Sequence, residues 1–484
     1  MEFLSINFAV FFLITAIINY VFPQKLRLIG LLLSSFVFYF IGAKQFFVLL
    51  LILCLITYAF GLILNKFRKK YVYAIGAFTI LASLIYFKYT NFLLDLLNKI
   101  SLAGTIEIGE IIAPLGISFM TFQAISYLGD VYYGKIPAEK NPIIVTLFVS
   151  FFPNVTSGPI QKAKNFIPAI KEKVTFDYDL VKHGMMLVAF GGLQKFFISD
   201  KLAPIINDMQ SAFLQGNDAG GFHYVFFAFA YAIYLYSNFN SYSDIAIGVA
   251  EILGIRFSAN FKRPYLSRSI REFWQRWHIS LNSWFVDYVY IPLGGSRKGK
   301  LRYYVNILVV FLLSGLWHGA SLHFVAWGLL NGVYQIAGNL TESLRNKIYS
   351  FLKINPSNII IVFWKRFVVF YLVSISWIFF AIPSISLAAK MSVSMLVPSF
   401  STLFDGWILN LFDSGKDIIV LLLAILAFAV VQFVREKTSF TSILKKCPAA
   451  IRYAIYVAVT LVLLNGFFGT FTGIGNGGFV YGEF

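Results

Sequence analysis

Apolar runs near the ~20 residues that carry a helix across the hydrocarbon of a bilayer recur along this chain, separated by short polar loops. They fall at 4–22, 27–43, 46–65, 71–88, 142–153, 181–198, 222–237, 243–255, 303–317, 322–340, 358–383, 416–434 and 451–470. This pattern predicts an all-α polytopic membrane protein with roughly eleven to thirteen membrane-embedded helices, some of the shorter ones re-entrant or half-spanning.

Three stretches break the pattern. Residues 101–113 and 161–180 read as polar connectors or interfacial helices. Pro114–Gln123 is apolar, but a proline and a glycine at its start leave it too short and broken for a span. Residues 256–302 hold ten Lys or Arg against two acids, Glu272 and Asp287, and no span-length apolar run. Helix-like material over Ile270–Asp287 is followed there by a turn at Gly294-Gly295, so this segment is expected to be a basic cytoplasmic or re-entrant layer. The whole chain, 1–484, reads as a single membrane domain ending in a Gly/aromatic tail, 471–484.

Composition excludes a soluble reading: 58% of the residues are hydrophobic and 13% charged. The net charge of +18 would suggest nucleic acid in a soluble protein. Here the basic residues sit in loops between apolar runs, as the positive-inside bias requires, and no nucleic-acid partner is expected. Lys25 and Arg27, then Lys66, Arg68, Lys69 and Lys70, mark cytoplasmic loops. The basic loop before the last span repeats the signal, placing both termini outside, and the 384–415 loop outside with them. The start lacks a basic n-region, so the first segment is expected to stay as a membrane helix. Cys54 and Cys447 offer no disulfide framework.

The chemistry concentrates between Arg271 and Gly319. Arg271, Glu272, Gln275, Arg276, His278, Asn282 and Asp287 lie among tryptophans and tyrosines, where polar groups near hydrocarbon are expensive and usually functional. Forty residues apart, His278 and His318 each directly follow a tryptophan, Trp277 and Trp317. A histidine with an ordinary pKa near ~6.5 suits the general base that would activate an attacking hydroxyl. His318 is the candidate, with Gly319 and Ala320 removing bulk beside it and Trp317 and Trp327 as walls. A buried histidine bonded to a neighbouring helix is the bland alternative. His318 and His323 are five apart, a spacing that does not converge on one ion, so no metal is expected. No Gly-x-Ser-x-Gly elbow surrounds Ser280, Ser314 or Ser321. His183 and His223 lack supporting context and read as structural.

The motifs carry a resemblance. Pro114-Leu-Gly-Ile-Ser-Phe-Met-Thr-Phe-Gln-Ala-Ile-Ser-Tyr127, Phe151-Phe-Pro153 with Gly158-Pro159-Ile160, Tyr242-Ser-Asp-Ile-Ala-Ile-Gly248, Phe273 to Gly295 and Leu316-Trp-His-Gly319 occur in that order. Together they resemble the membrane-bound O-acyltransferase superfamily, nearest its bacterial alginate O-acetyltransferase branch. The Ile291-Pro-Leu-Gly-Gly295 continuation favours that branch over D-alanyl transferases of teichoic acid. Asn238 and Ser241 depart from the acidic residue and glycine more usual in the family.

The resemblance implies helices around a central tunnel, with His318 near mid-membrane and His278 towards the cytoplasm. It implies acyl transfer, most simply acetyl, from a cytosolic thioester to an extracytoplasmic polysaccharide in a bacterial cell envelope. No bound cofactor is expected; acetyl-CoA or an acyl carrier protein would be the donor substrate, and a separate extracytoplasmic transferase a partner. His278 would orient the donor, stabilise developing charge or bond to His318. Arg271 and Arg276 would attract an anionic donor, with Trp277, Asn282, Asp244 and Trp317 lining the substrate path. Tyr481, behind a glycine-rich hinge, is a candidate acyl relay. The rival class is a non-enzymatic polysaccharide or lipid transporter, which fits the composition but leaves two Trp-His sites unexplained.

Overall fold

The apolar runs fold as helices. In a computed structural model the described residues are 3–100, 109, 111–216, 220–412, 414–437 and 446–471, and no strand occurs among them. The described residues divide into two compact units, one formed by residues up to Gly191 with Tyr242–Ala259, the other by Gly192–Ser241 and the described residues between 260 and 471.

The first unit opens with α1 (Ile6–Val21), α2 (Gln24–Ala43), α3 (Phe47–Lys66) and α4 (Lys70–Leu84), which continues through a π-helical segment into α5 (Thr90–Ile100). Then come α6 (Ile117–Tyr132), α7 (Pro142–Ser150), the single turn α8 (Phe152–Val155), α9 (Ala163–Lys171) and most of α10 (Tyr178–Gln194). The broken stretch at Pro114 proves to be the entrance to α6, the core helix of this unit, in contact with α3, α4, α7 and α9. Every residue from Ile117 to Val131 is buried. Gly116 explains the motif before it: its φ of +73° is left-handed, and a Cβ there would run into the Val155 carbonyl. The expected short span at 142–153 is two helices, broken at Phe151. Arg27, expected in a solvated cytoplasmic loop, is 2% exposed. It donates to Asn19 Oδ1 at 2.9 Å and to the Ile170 and Glu172 carbonyls at 3.2 Å. It therefore ties the start of α2 to α1 and to the end of α9.

The second unit contains α11 (Asp200–Leu214), the N-terminal part of α12 (Phe222–Ile252), α13 (Ile270–Arg276), α14 (Ile279–Phe285), α15 (Lys300–His318), α16 (Leu322–Leu340), α17 (Glu342–Phe351), α18 (Ile359–Ala381), α19 (Ile385–Leu396), α20 (Gly415–Lys437) and α21 (Ala449–Phe471). The spans expected at 222–237 and 243–255 are one continuous helix, α12, whose polar middle is buried rather than looped out. The 384–415 stretch contains α19 and two 3-10 turns rather than irregular loop alone.

The closest helix pairing in this unit is α15 with α16. A three-residue connection folds them back on each other, and two glycines face across the crossing. A Cβ on Gly315 would strike the Phe324 carbonyl oxygen, and one on Gly328 the Phe311 carbonyl oxygen. Small residues that let backbones touch are how helices associate in lipid, where water supplies no hydrophobic drive between them. Among the described residues, five stretches, Gln24–Lys66, Lys70–Asn98, Lys300–His318, Ile359–Ala381 and Gly415–Val434, are long and apolar enough to cross a membrane. The chain is an all-helical, multi-pass membrane protein.

Candidate active site

The second unit brings both Trp-His pairs into one aromatic core. His318 ends α15, held in place by the glycine crossing below it. Its ring lies 4.9 Å from Trp317, 5.0 Å from Trp327 and 5.2 Å from Phe380, edge-on to each. His278 meets the same Trp317 at 5.9 Å, and Phe239 at 4.7 Å. Both histidines are buried, 1% exposed for His278 and 3% for His318.

The backbone at His278 is unusual. Its φ of +43° is left-handed, a conformation that costs a non-glycine residue of order 1–3 kcal/mol and clusters at functional sites. The reversal it makes separates α13 from α14. Three sets of hydrogen bonds hold it. The Ile279 N–H donates to the Asn260 carbonyl at 2.8 Å, and the Lys262 N–H to the Arg276 carbonyl at 2.9 Å. The Ser280 hydroxyl donates to Asn260 Oδ1 at 2.6 Å. The Asn282 amide donates to the Trp274 and Trp277 carbonyls, both at 2.6 Å. α13 itself starts on a cap: Ser269 Oγ accepts the Glu272 N–H at 3.1 Å. Burial lowers the His278 imidazole to about 3, so it is neutral at physiological pH.

The other expected residues distribute unevenly. Trp277 lies inside the core, 1% exposed, against Phe261 at 5.0 Å and Trp377 at 4.9 Å. Asn282 is committed to backbone carbonyls, which makes it a positioning residue for the His278 turn. Arg276 pairs with Glu272 at 2.5 Å, one helical turn away. Arg271 is exposed on the same helix. Asp244 is buried and belongs to the first unit. Tyr481 lies outside the described residues. His323 donates to the Phe379 carbonyl at 3.0 Å.

Several polar placements had no clear sequence signal. Asn260 and Ser280 stand in the basic layer with nothing to distinguish them from loop residues. His183, read as lacking context, pairs with Glu251 at 2.6 Å. His223 sits 2.9 Å from the Asp405 carboxylate with Trp407 against its ring. A buried polar layer also runs through Lys195, paired with Asp200, and through Asn238 and Asn240, which donate to Ser199 at 3.0 Å and Gln194 at 2.8 Å. A lysine inside the apolar run 181–198 was the one signal that could have found it.

Residues 139–382, which include this core, match the profile of the membrane-bound O-acyltransferase family, MBOAT. The chain is also 35% identical to the probable alginate O-acetylase AlgI of Pseudomonas putida, over 85% of this chain and 82% of that protein. The chain belongs to the membrane-bound O-acyltransferase family. It is 30% identical to the peptidoglycan O-acetyltransferase of Helicobacter pylori over 81% of this chain and 78% of the relative. A teichoic acid D-alanyltransferase of Bacillus subtilis matches at 30% over 51% of this chain and 64% of the relative. This MBOAT protein is therefore an O-acyltransferase, and its paired Trp-His core falls within the family region.

Proposed function

We propose that this O-acyltransferase moves an acetyl group from a cytosolic thioester across a bacterial cytoplasmic membrane for O-acetylation of an extracytoplasmic polysaccharide, an alginate-like exopolysaccharide or a cell-wall glycan. The observation that carries the reading is the packing of both His278 and His318 against Trp317, in a chain of this family. The names of the alginate and peptidoglycan relatives support a polysaccharide acceptor and an acetyl group.

In this reading eleven to thirteen embedded helices surround a central tunnel, with the termini outside and 256–302 in the cytoplasm. The basic loops of the sequence support that orientation. His318 takes the proton of the attacking hydroxyl, and its place at the C-terminal end of α15 sets helix carbonyls beside the imidazolium so formed. His278, neutral and rigidly held, orients the donor. Arg271 meets the anionic part of acetyl-CoA or of an acyl carrier protein. Trp277, Trp317 and Asn282 shape the path around the two histidines. No resident cofactor takes part.

A covalent ester on Tyr481 would carry the acyl group to the outer face and split the transfer into two easier steps. A separate extracytoplasmic transferase would receive it. Tyr481→Phe keeps the ring and removes the hydroxyl, so normal acylation by that variant would leave the tyrosine a docking residue.

The test is mass spectrometry of envelope glycans from a deletion strain. Loss of O-acetyl esters, restored by the wild-type gene and not by His318→Ala, is expected. General-base loss typically costs ~10²–10⁴-fold. An unchanged ester content would overturn the reading. The match to a teichoic acid D-alanyltransferase motivates a second reading, which the same spectra separate by the mass of the missing group.

A further inference from the structure

Four tryptophans pack together next to His318. Trp327 stacks on Trp377 with ring centroids 5.6 Å apart and 17° between planes, and Trp274 stands edge-on to Trp327 at 5.7 Å. Trp277 closes the group against Trp377 at 4.9 Å. Trp274 is 8% exposed and Trp327 and Trp377 are 0%. Among the described residues, the indole N–H groups of Trp274, Trp327 and Trp377 have no hydrogen-bond acceptor.

That is a costly arrangement for apolar packing alone. An indole N–H only donates, and a buried one normally finds an acceptor. Phenylalanine would fill much of this volume without a polar atom to satisfy. Stacked rings cannot donate into one another, and an edge-on ring offers only a weak π contact. Three unused donors in one cluster, with His318 against its edge, call for a ligand that only accepts.

We propose that the indole N–H of Trp327, whose ring contacts those of His318, Trp274 and Trp377, binds the carbonyl oxygen of the transferring acyl group and holds the oxyanion that forms when it is attacked. This rests on the reading of His318 as the base of O-acyl transfer. The acceptor hydroxyl oxygen forms a bond to the thioester carbonyl carbon as His318 takes its proton. The C=O π pair moves onto oxygen, and the indole donors stabilise that charge. The pair then returns, the C–S bond breaks, and the thiolate leaves with the proton from the His318 imidazolium.

The chemistry of the donors supports a carbonyl over other anions. Neutral indoles in an apolar wall suit a group that arrives uncharged and gains charge only during reaction. Such donors act mainly on the transition state. A phosphate or carboxylate arrives charged and is better met by arginine.

The experiment runs in the deletion strain, with envelope O-acyl esters released by mild alkali and normalised to the amount of inserted protein. Trp327 is replaced by β-(3-benzothienyl)alanine through nonsense suppression, exchanging the N–H for sulfur in a ring system of nearly the same shape. Ester formation should fall by ~10²–10³-fold, the usual loss for an oxyanion donor. Trp327→Phe should fall in the same direction. The analogue at the exposed Trp364, 58% accessible, should leave the rate unchanged. Wild-type rates from the analogue at positions 327, 274 and 377, with His318→Ala inactive, would overturn the proposal and leave the base assignment standing. If the wild-type gene itself adds no ester, the underlying reading fails.

Discussion

Asn260 Oδ1 accepts the Ser280 hydroxyl at 2.6 Å, across the turn that carries His278. The Asn260 carbonyl accepts the Ile279 N–H on the same side. One fully buried residue thus holds both residues that follow the left-handed histidine. Asn260→Ala should destabilise the protein by about 1–3 kcal/mol, the range for an unsatisfied buried partner. It should also depress acylation at unchanged expression, because the His278 turn can relax. Ser269→Ala, at an exposed cap, should cost less activity. Thermal melts in detergent beside ester assays check this, and full activity in Asn260→Ala would mean that backbone pairing alone holds the turn.

The depressed His278 imidazole predicts a pH effect on stability. The unfolded side chain titrates near 6.5 and the folded one near 3. Between these values the unfolded chain binds a proton that the folded chain refuses, so stability falls as pH drops through that window. His278→Gln removes this contribution. The melting temperature of the wild type should therefore decline more steeply than that of the variant between about pH 6.5 and about pH 4. Parallel curves would show that the imidazole is not held neutral.

The α15–α16 crossing gives a contrast between two glycines. Gly315→Ala places a methyl against the Phe324 carbonyl and must spread the helices, moving His318 without touching it. Gly338→Ala, with open space around it, should be neutral or gain up to about 1 kcal/mol from helix propensity. Loss of acylation in the first and not the second is expected; equal behaviour would show that the crossing tolerates a wider spacing.

The two candidate donor-binding arginines should not be equivalent. Arg276 is held by Glu272, whereas Arg271 is exposed. Arg271→Ala should raise the apparent KM for the anionic donor and weaken its salt dependence, with a smaller change in Arg276→Ala. Unchanged donor kinetics in the double variant would leave both as topology or packing residues.

Much of this was legible in the sequence for a physical reason. Lipid-facing helices must be apolar along their whole length, so runs such as 27–43 and 358–383 announce themselves. α6 did not, because protein surrounds it and polar residues such as Thr121 and Gln123 are accommodated inside. α12 was split for the same reason, at Asn238, Asn240 and Ser241. In the site, the Trp-His pairs stand out in the chain because two identical dipeptides are visible without any fold, and the structure packs both histidines against Trp317. The left-handed turn at His278 was not, since histidine specifies no positive φ; it is set by Asn260, eighteen residues before it, together with Ser280 and Asn282 just after it.

His278 must satisfy two demands that point to different amino acids. Its backbone suits glycine or asparagine, while its place beside Trp317 calls for an imidazole. A saturation library at this position would therefore sort differently by abundance and by turnover. Cellular protein level would rank glycine and asparagine high and β-branched residues low, while ester formation would single out histidine. Positions where the rankings separate in this way report chemistry, and positions where they agree report packing. Deep mutational scanning of residues 256–302 would thus map the working groups of the layer whatever polymer accepts the acyl group.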